Sequence, residues 1–259
     1  MAFMSMAQNL HPTGTFEAKY SVQPGMYNFW LYTPNDYIDD DHKFPLVIFL
    51  HGASLCGNNL NKVRRYGVLD AIDRGKIIPT LVVAPQNPGG AWNPKKLNDL
   101  LEWLKANYRV DENRVYVLGM SLGGYGTLDF VGTYPEKIAA AMALCGGCSL
   151  KNQEGLGKVP LWIIHGTADR AVSINESKKV VNGLQQSGND QLLRYNWMQG
   201  GGHGAPARLF YLQKTYDWLF YHSLQDNPRE LDKSFDITPE DIKSTYQELK
   251  ALPHMYDKD

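Results

Sequence analysis

Apolar runs of strand length alternate with segments of helical period through residues 27–164, a pattern that predicts a mostly parallel sheet covered by helices, the α/β class. The strand candidates are residues 27–32, 46–50, 80–84, 115–118, 140–144, 161–164 and 192–198, most of them rich in β-branched or aromatic side chains. Residues 95–107 read as a helix because Leu97, Leu100, Leu101 and Leu104 fall at i, i+3, i+4 and i+7 and share one face. A second helix is predicted over residues 122–134, stopped ahead of Pro135, since proline disfavours helical backbone at the residue before it. Near the C-terminus, Thr238-Pro239-Glu240-Asp241 carries an N-cap, a proline at the first helical position and acids in the first turn. The short helix it starts places Ile242, Tyr246 and Leu249 on one stripe, whereas residues 225–236 are polar and loop-like. Residues 1–224 are therefore expected to form one α/β domain, and residues 225–259 a polar linker plus a short amphipathic helix.

Composition narrows the partners more than the fold. A length of 259 residues suits one large domain, and 43% apolar with 20% charged residues is ordinary for a globular chain. A net charge of -1 gives no drive toward nucleic acid or anionic lipid. No apolar run reaches the roughly 18–20 residues of a membrane span, so a soluble protein is expected. Residues 1–11 show no basic start followed by an apolar stretch, so no signal peptide is visible, a pattern that a processed precursor shares; the compartment stays open. Three cysteines are too few for a disulfide framework, and there is no internal repeat.

The chemistry concentrates where apolar runs end. Residues 115–118 lead into Gly119-Met120-Ser121-Leu122-Gly123-Gly124 and then a helical pattern, so strand, Gly-x-Ser-x-Gly and helix occur in order. Gly119 and Gly123 remove side chains that would clash in a tight turn, which leaves the Ser121 hydroxyl exposed as a nucleophile. A weak alcohol needs a base, and the base needs an acid to orient it. Asp169 follows the strand at 161–164, and His203 follows the strand at 192–198 within Gly200-Gly201-Gly202-His203-Gly204. Both stand just past strand C-termini, where open α/β sheets place their ligand sites. Among the other histidines, His51 and His165 end strands as His-Gly and are expected to brace turns, while His11, His42, His222 and His254 lie in polar segments or outside the sheet pattern. The strand at 46–50 ends in His51-Gly52-Ala53, and the backbone N–H groups of Ala53 and Leu122 are the expected donors to a developing oxyanion.

Taken together, these motifs resemble the α/β-hydrolase superfamily, and within it the esterase and prolyl-oligopeptidase-like branch, over roughly residues 27–221. The segments Leu50-His51-Gly52-Ala53, Gly57-Asn58-Asn59, Val83-Ala84-Pro85-Gln86, Trp92, residues 111–114 and Leu144-Cys145-Gly146-Gly147 resemble small bacterial predicted peptidases and esterases. Feruloyl, acetylxylan and polyhydroxybutyrate esterases are relatives of that group. The resemblance implies the hydrolase fold and a Ser121, Asp169 and His203 triad; Ser54, Leu55 and Cys56 depart from its usual loop.

Trp92, after Gly89-Gly90, fits either a stacking wall for an aromatic or sugar group or core packing. Cys145 and Cys148 have redox-pair spacing but open no evident helix, and read as small buried residues near the site. Only residues 146–160 separate two strands where lipases often carry a lid, so no large lid is expected. The expected activity is a serine esterase acting on small or carbohydrate-linked esters, with a serine peptidase second and a non-catalytic binding protein third. It requires no metal and no organic cofactor. The tail beyond Asp226 either packs on the domain or makes a homodimer contact.

Overall fold

The apolar runs become the middle of a nine-stranded sheet in the computed structural model, which describes residues 8–11, 13–38, 41–232 and 234–245. In chain order the strands are β1 Gln8–His11, β2 Gly14–Lys19, β3 Phe29–Pro34, β4 Phe44–Leu50, β5 Leu81–Pro85, β6 Val110–Met120, β7 Ala140–Leu144, β8 Leu161–Gly166 and β9 Leu193–Met198. They lie in the order β1-β2-β3-β5-β4-β6-β7-β8-β9. The pairs β1–β2, β2–β3 and β3–β5 are antiparallel, and every pair from β5–β4 to β8–β9 is parallel. This is the hydrolase arrangement that the resemblance implies. Strands at the centre are buried on both faces, as β7 is at all five positions, while β2 near the edge alternates buried and half-buried residues.

Parallel neighbours require crossovers. Helices α1 Val68–Asp73, α2 Pro94–Asn107, α3 Leu122–Thr133 and α4 Ile174–Gln186 lie within them, and α5 Gln213–Phe220 follows β9. The four leucines predicted to share a face of α2 are all buried, against Ile48, Leu50 and Val117 on one side of the sheet. On the other side Val47, Phe49, Tyr116, Leu118 and Trp162 meet Trp218 of α5. Between β7 and β8 the chain holds loop and one 3-10 helix, Glu154–Lys158, and no lid. Among the described residues no helix is long and apolar enough to cross a membrane.

The predicted C-terminal start is realised in α6, Pro239–Ser244, where Thr238 Oγ1 accepts the Asp241 N–H at 3.1 Å and Asp241 Oδ2 accepts the Thr238 N–H at 2.8 Å. Leu231, Phe235, Ile237 and Ile242 pack on the core layer that carries α5. The Leu224 N–H donates to Asn113 O at 2.9 Å, and the Arg229 guanidinium donates to the carbonyls of Lys158, Ile138 and Ala139. Tyr246 and Leu249, the other members of the predicted stripe, lie outside the described residues.

The five parallel strands from β4 to β9 that carry the candidate residues all end on one edge of the sheet, so the loops bearing Gly52, Ser121, Cys145, Asp169 and His203 converge there.

Candidate active site

Ser121 is the residue between β6 and α3, with φ +59° and ψ -120°, a left-handed backbone that costs a non-glycine residue about 1–3 kcal/mol. Its N–H donates to Leu144 O at 2.8 Å and its carbonyl accepts the Tyr125 N–H at 3.0 Å, which holds the turn in place. The glycines are required by close approach: a Cβ on Gly123 would stand 1.8 Å from Leu50 O, and one on Gly119 would stand 2.3 Å from Gly123 O. As the first residue of α3, Leu122 has an N–H beyond the reach of intrahelical acceptors.

Asp169 has no exposed side-chain surface. Its Oδ1 accepts the N–H groups of Ala171 at 2.8 Å and Val172 at 3.0 Å, and its Oδ2 lies 2.7 Å from His203 Nδ1. Burial alone would raise its pKa, but the bond from His203 and those from the Val172 and Ala171 backbone outweigh burial and hold it down at about 2. An ionised carboxylate only accepts, so the His203 proton sits on Nδ1 and Nε2 presents a lone pair. His203 is 29% exposed, which leaves that nitrogen room to meet a substrate.

His165 stands behind this pair. Its Nε2 lies 3.1 Å from Asp169 Oδ2 and 3.0 Å from Val172 O, and its Nδ1 lies 2.7 Å from Ser177 Oγ, which donates to Gly146 O at 2.5 Å. Burial pushes its imidazole pKa down. His51 is fully buried and braces its own turn: Nδ1 donates to Gly52 O at 2.7 Å and Nε2 accepts the Asn87 N–H at 3.0 Å. Burial lowers its pKa to about 4, and it stays neutral.

A cavity of about 620 Å³ opens onto Ser121, Leu122, Ala53 and His203 together. Tyr66, Tyr125, Ala171 and Val172 are also among its walls, and none of the four belongs to a motif. The last two could have been found, since they follow the acid within three positions.

The stacking role considered for Trp92 is corrected by the structure. Trp92 is 3% exposed, its Nε1 donates to His51 O at 3.2 Å, and its ring stands edge-on to Tyr27 and His51. A Cβ on Gly126 would come 2.6 Å from the indole, so the ring fills the space beside α3 rather than lining the cavity. Trp92→Ala is accordingly expected to cost about 3–5 kcal/mol in urea denaturation. KM values for aromatic and aliphatic esters should change by the same factor, whereas a loss confined to aromatic esters would restore the stacking role.

Cys145, His165 and Asp169 offer ligand atoms within 4.8 Å of one another, a donor set that suits a metal. Burial pushes the Cys145 thiol up to about 12, and its Sγ lies 3.6 Å from His203 O, so these groups form a hydrogen-bonded cluster under the histidine. Cys145 is buried and Cys148 half-buried, and both are free thiols.

Comparisons with known proteins place the chain among esterases. Esterase Rv1288 of Mycobacterium tuberculosis (strain ATCC 25618 / H37Rv) is 27% identical over 139 residues, 48% of this chain and 30% of that protein. The bifunctional acetylxylan esterase/xylanase XynS20E of Neocallimastix patriciarum is 29% identical over 159 residues, 57% of this chain and 22% of that protein. The chain thus spans less than a third of either relative's length. A crystal structure of a thermostable esterase superposes with TM-score 0.69 at 29% identity, covering 80% of this chain and 63% of that one. Residues 93–222, which hold Ser121, Asp169 and His203, match the family model described as Phospholipase/Carboxylesterase. The chain belongs to that family of α/β-hydrolases.

Proposed function

We propose that the protein is a serine esterase that cleaves carboxylic esters through an acyl-enzyme, with small or carbohydrate-linked esters such as acetyl or feruloyl esters as substrates. The observation that carries this reading is a strained Ser121 and a His203 bound to a buried carboxylate, both opening onto one cavity. Ser121 Oγ attacks the ester carbonyl as its proton passes to His203 Nε2, and the carbonyl oxygen becomes an oxyanion held by the Ala53 and Leu122 N–H groups. Collapse breaks the bond to the alcohol oxygen, which takes the proton from His203. Water then repeats the sequence at the acyl carbon and frees Ser121. Asp169 keeps His203 in the Nδ1–H tautomer and stabilises the cation that forms.

Esters of compact acids suit the short loop at residues 146–160, which leaves the cleft uncovered. The acetylxylan esterase activity in the relative's name supports a sugar-linked alcohol. A panel of short-chain p-nitrophenyl esters, a feruloyl ester, acetylated xylan and aminoacyl amides tests the reading. Esters are expected to turn over and amides to lag far behind. Faster turnover of the amides would mark a peptidase, and failure of Ser121 to react with a fluorophosphonate would mark a non-catalytic protein.

A further inference from the structure

We propose that the Tyr66 hydroxyl is a third donor to the oxyanion, beside the backbone N–H groups of Ala53 and Leu122. This rests on the reading of Ser121 as the nucleophile. Tyr66 lines the same cavity as Ser121 and His203. Its oxygen accepts the Gly52 N–H at 2.7 Å. A phenol oxygen engaged as an acceptor still has its own proton to give, and the backbone donor polarises that O–H bond further.

The position of the hydroxyl is closely defined. A Cβ on Gly52 would lie 2.9 Å from Tyr66 Oη and 3.3 Å from Ser121 Cβ, so the phenol oxygen and the nucleophile's carbon flank the same glycine. The cavity that an acyl group on Ser121 Oγ would enter is therefore walled by the phenol as well as by Ala53 and Leu122. The ring is clamped by Phe49, edge-on with centroids 6.1 Å apart, and by Phe210 at 6.3 Å, which restrains swinging of the hydroxyl. Burial pushes the phenol pKa up, against the opposing bonds from Gly52 and Ser54, so the proton stays in place at neutral pH. The Ser54 side chain, like the Gly52 N–H, acts as a donor to the phenol oxygen and does not take its proton. An oxyanion is a strong acceptor, so that proton turns to it as charge develops.

Tyr66→Phe keeps the clamped ring and removes only the hydroxyl. Its expected effect is a ~10²-fold fall in kcat on a p-nitrophenyl ester and in the rate at which a fluorophosphonate labels Ser121, with KM changed by no more than about twofold. The affinity for phenylboronic acid, which forms a tetrahedral adduct on Ser121, should fall in parallel. A second variant carrying 3-fluorotyrosine at position 66 keeps the oxygen that accepts the Gly52 N–H but is a stronger donor. Tighter boronate binding than wild type is expected for it. Labelling and kcat of Tyr66→Phe within about threefold of wild type would overturn the assignment. So would a large loss in Tyr66→Phe combined with no response to 3-fluorotyrosine, since that pattern marks a tyrosine that only pins Gly52. A wild-type protein whose Ser121 does not label at all would instead remove the nucleophile reading, and this role with it.

Discussion

Ser121→Ala is expected to lower kcat on ester substrates by about 10⁵–10⁶-fold, the loss typical when the nucleophile of a serine triad is removed. Only Oγ is deleted, and the bonds that hold the turn come from the Ser121 backbone to Leu144 and Tyr125. The thermal transition should therefore stay within a few degrees of wild type. Turnover of a p-nitrophenyl ester by purified variant and wild type, with fluorophosphonate labelling to count active sites, makes the measurement. Residual turnover above about 1% of wild type would exclude Ser121 as nucleophile, because uncatalysed routes through the remaining site lie far below that.

Asp169→Asn should cost about 10⁴-fold in kcat at neutral pH. The geometry gives the reason. The Ala171 and Val172 N–H groups both point at Oδ1, so an asparagine must set its carbonyl oxygen there and turn its NH₂ toward His203. That NH₂ cannot accept the Nδ1 proton, and the imidazole shifts to the tautomer with Nε2–H, which is no base for Ser121. A loss below about tenfold would contradict the role given to Asp169.

The same substitution carries a stability signature. With a folded pKa depressed to about 2, the Asp169 carboxylate adds stability that is fully present above the unfolded value near 3.9 and is lost as pH falls through about 2. Denaturant midpoints of wild type should decline across that window, and those of Asp169→Asn should decline less. Parallel curves would show that the carboxylate is not held as described.

The proposed triad was legible as a set of candidates because each member sits beside a strong local signal. Ser121 lies within Gly-x-Ser-x-Gly, and Asp169 and His203 follow apolar strands. Tyr66 had no such signal, since its link to Gly52 is a contact across 14 residues. Trp92 stayed open between a stacking wall and core packing for a similar reason: Gly89 and Gly90 mark a loop at the active edge, but only the close approach to Gly126 shows that the indole turns inward.

In the fold, the apolar cores of the parallel strands stood out, while elements with mixed faces did not. The helix α4 buries Ser177, Val180, Val181 and Leu184, the same spacing as the leucines of α2. Its first member is a serine, whose burial makes sense only once His165 and Gly146 are seen to take its hydroxyl. The strand β2 alternates Phe16 and Ala18 with half-buried residues, a weak pattern over six positions near an edge. The strand β6 runs from Val110, well before the apolar segment at 115, because Val110 pairs with Phe44 ahead of a bulge.

The Arg229 guanidinium meets carbonyls just ahead of β7 and β8, on the rim of the sheet opposite Ser121, whereas Ile237 and Ile242 line one cavity with Met198, the last residue of β9. The tail thus runs along the α5 layer between the two rims, and its removal would lay bare the apolar surface on which Leu231, Phe235, Ile237 and Ile242 pack.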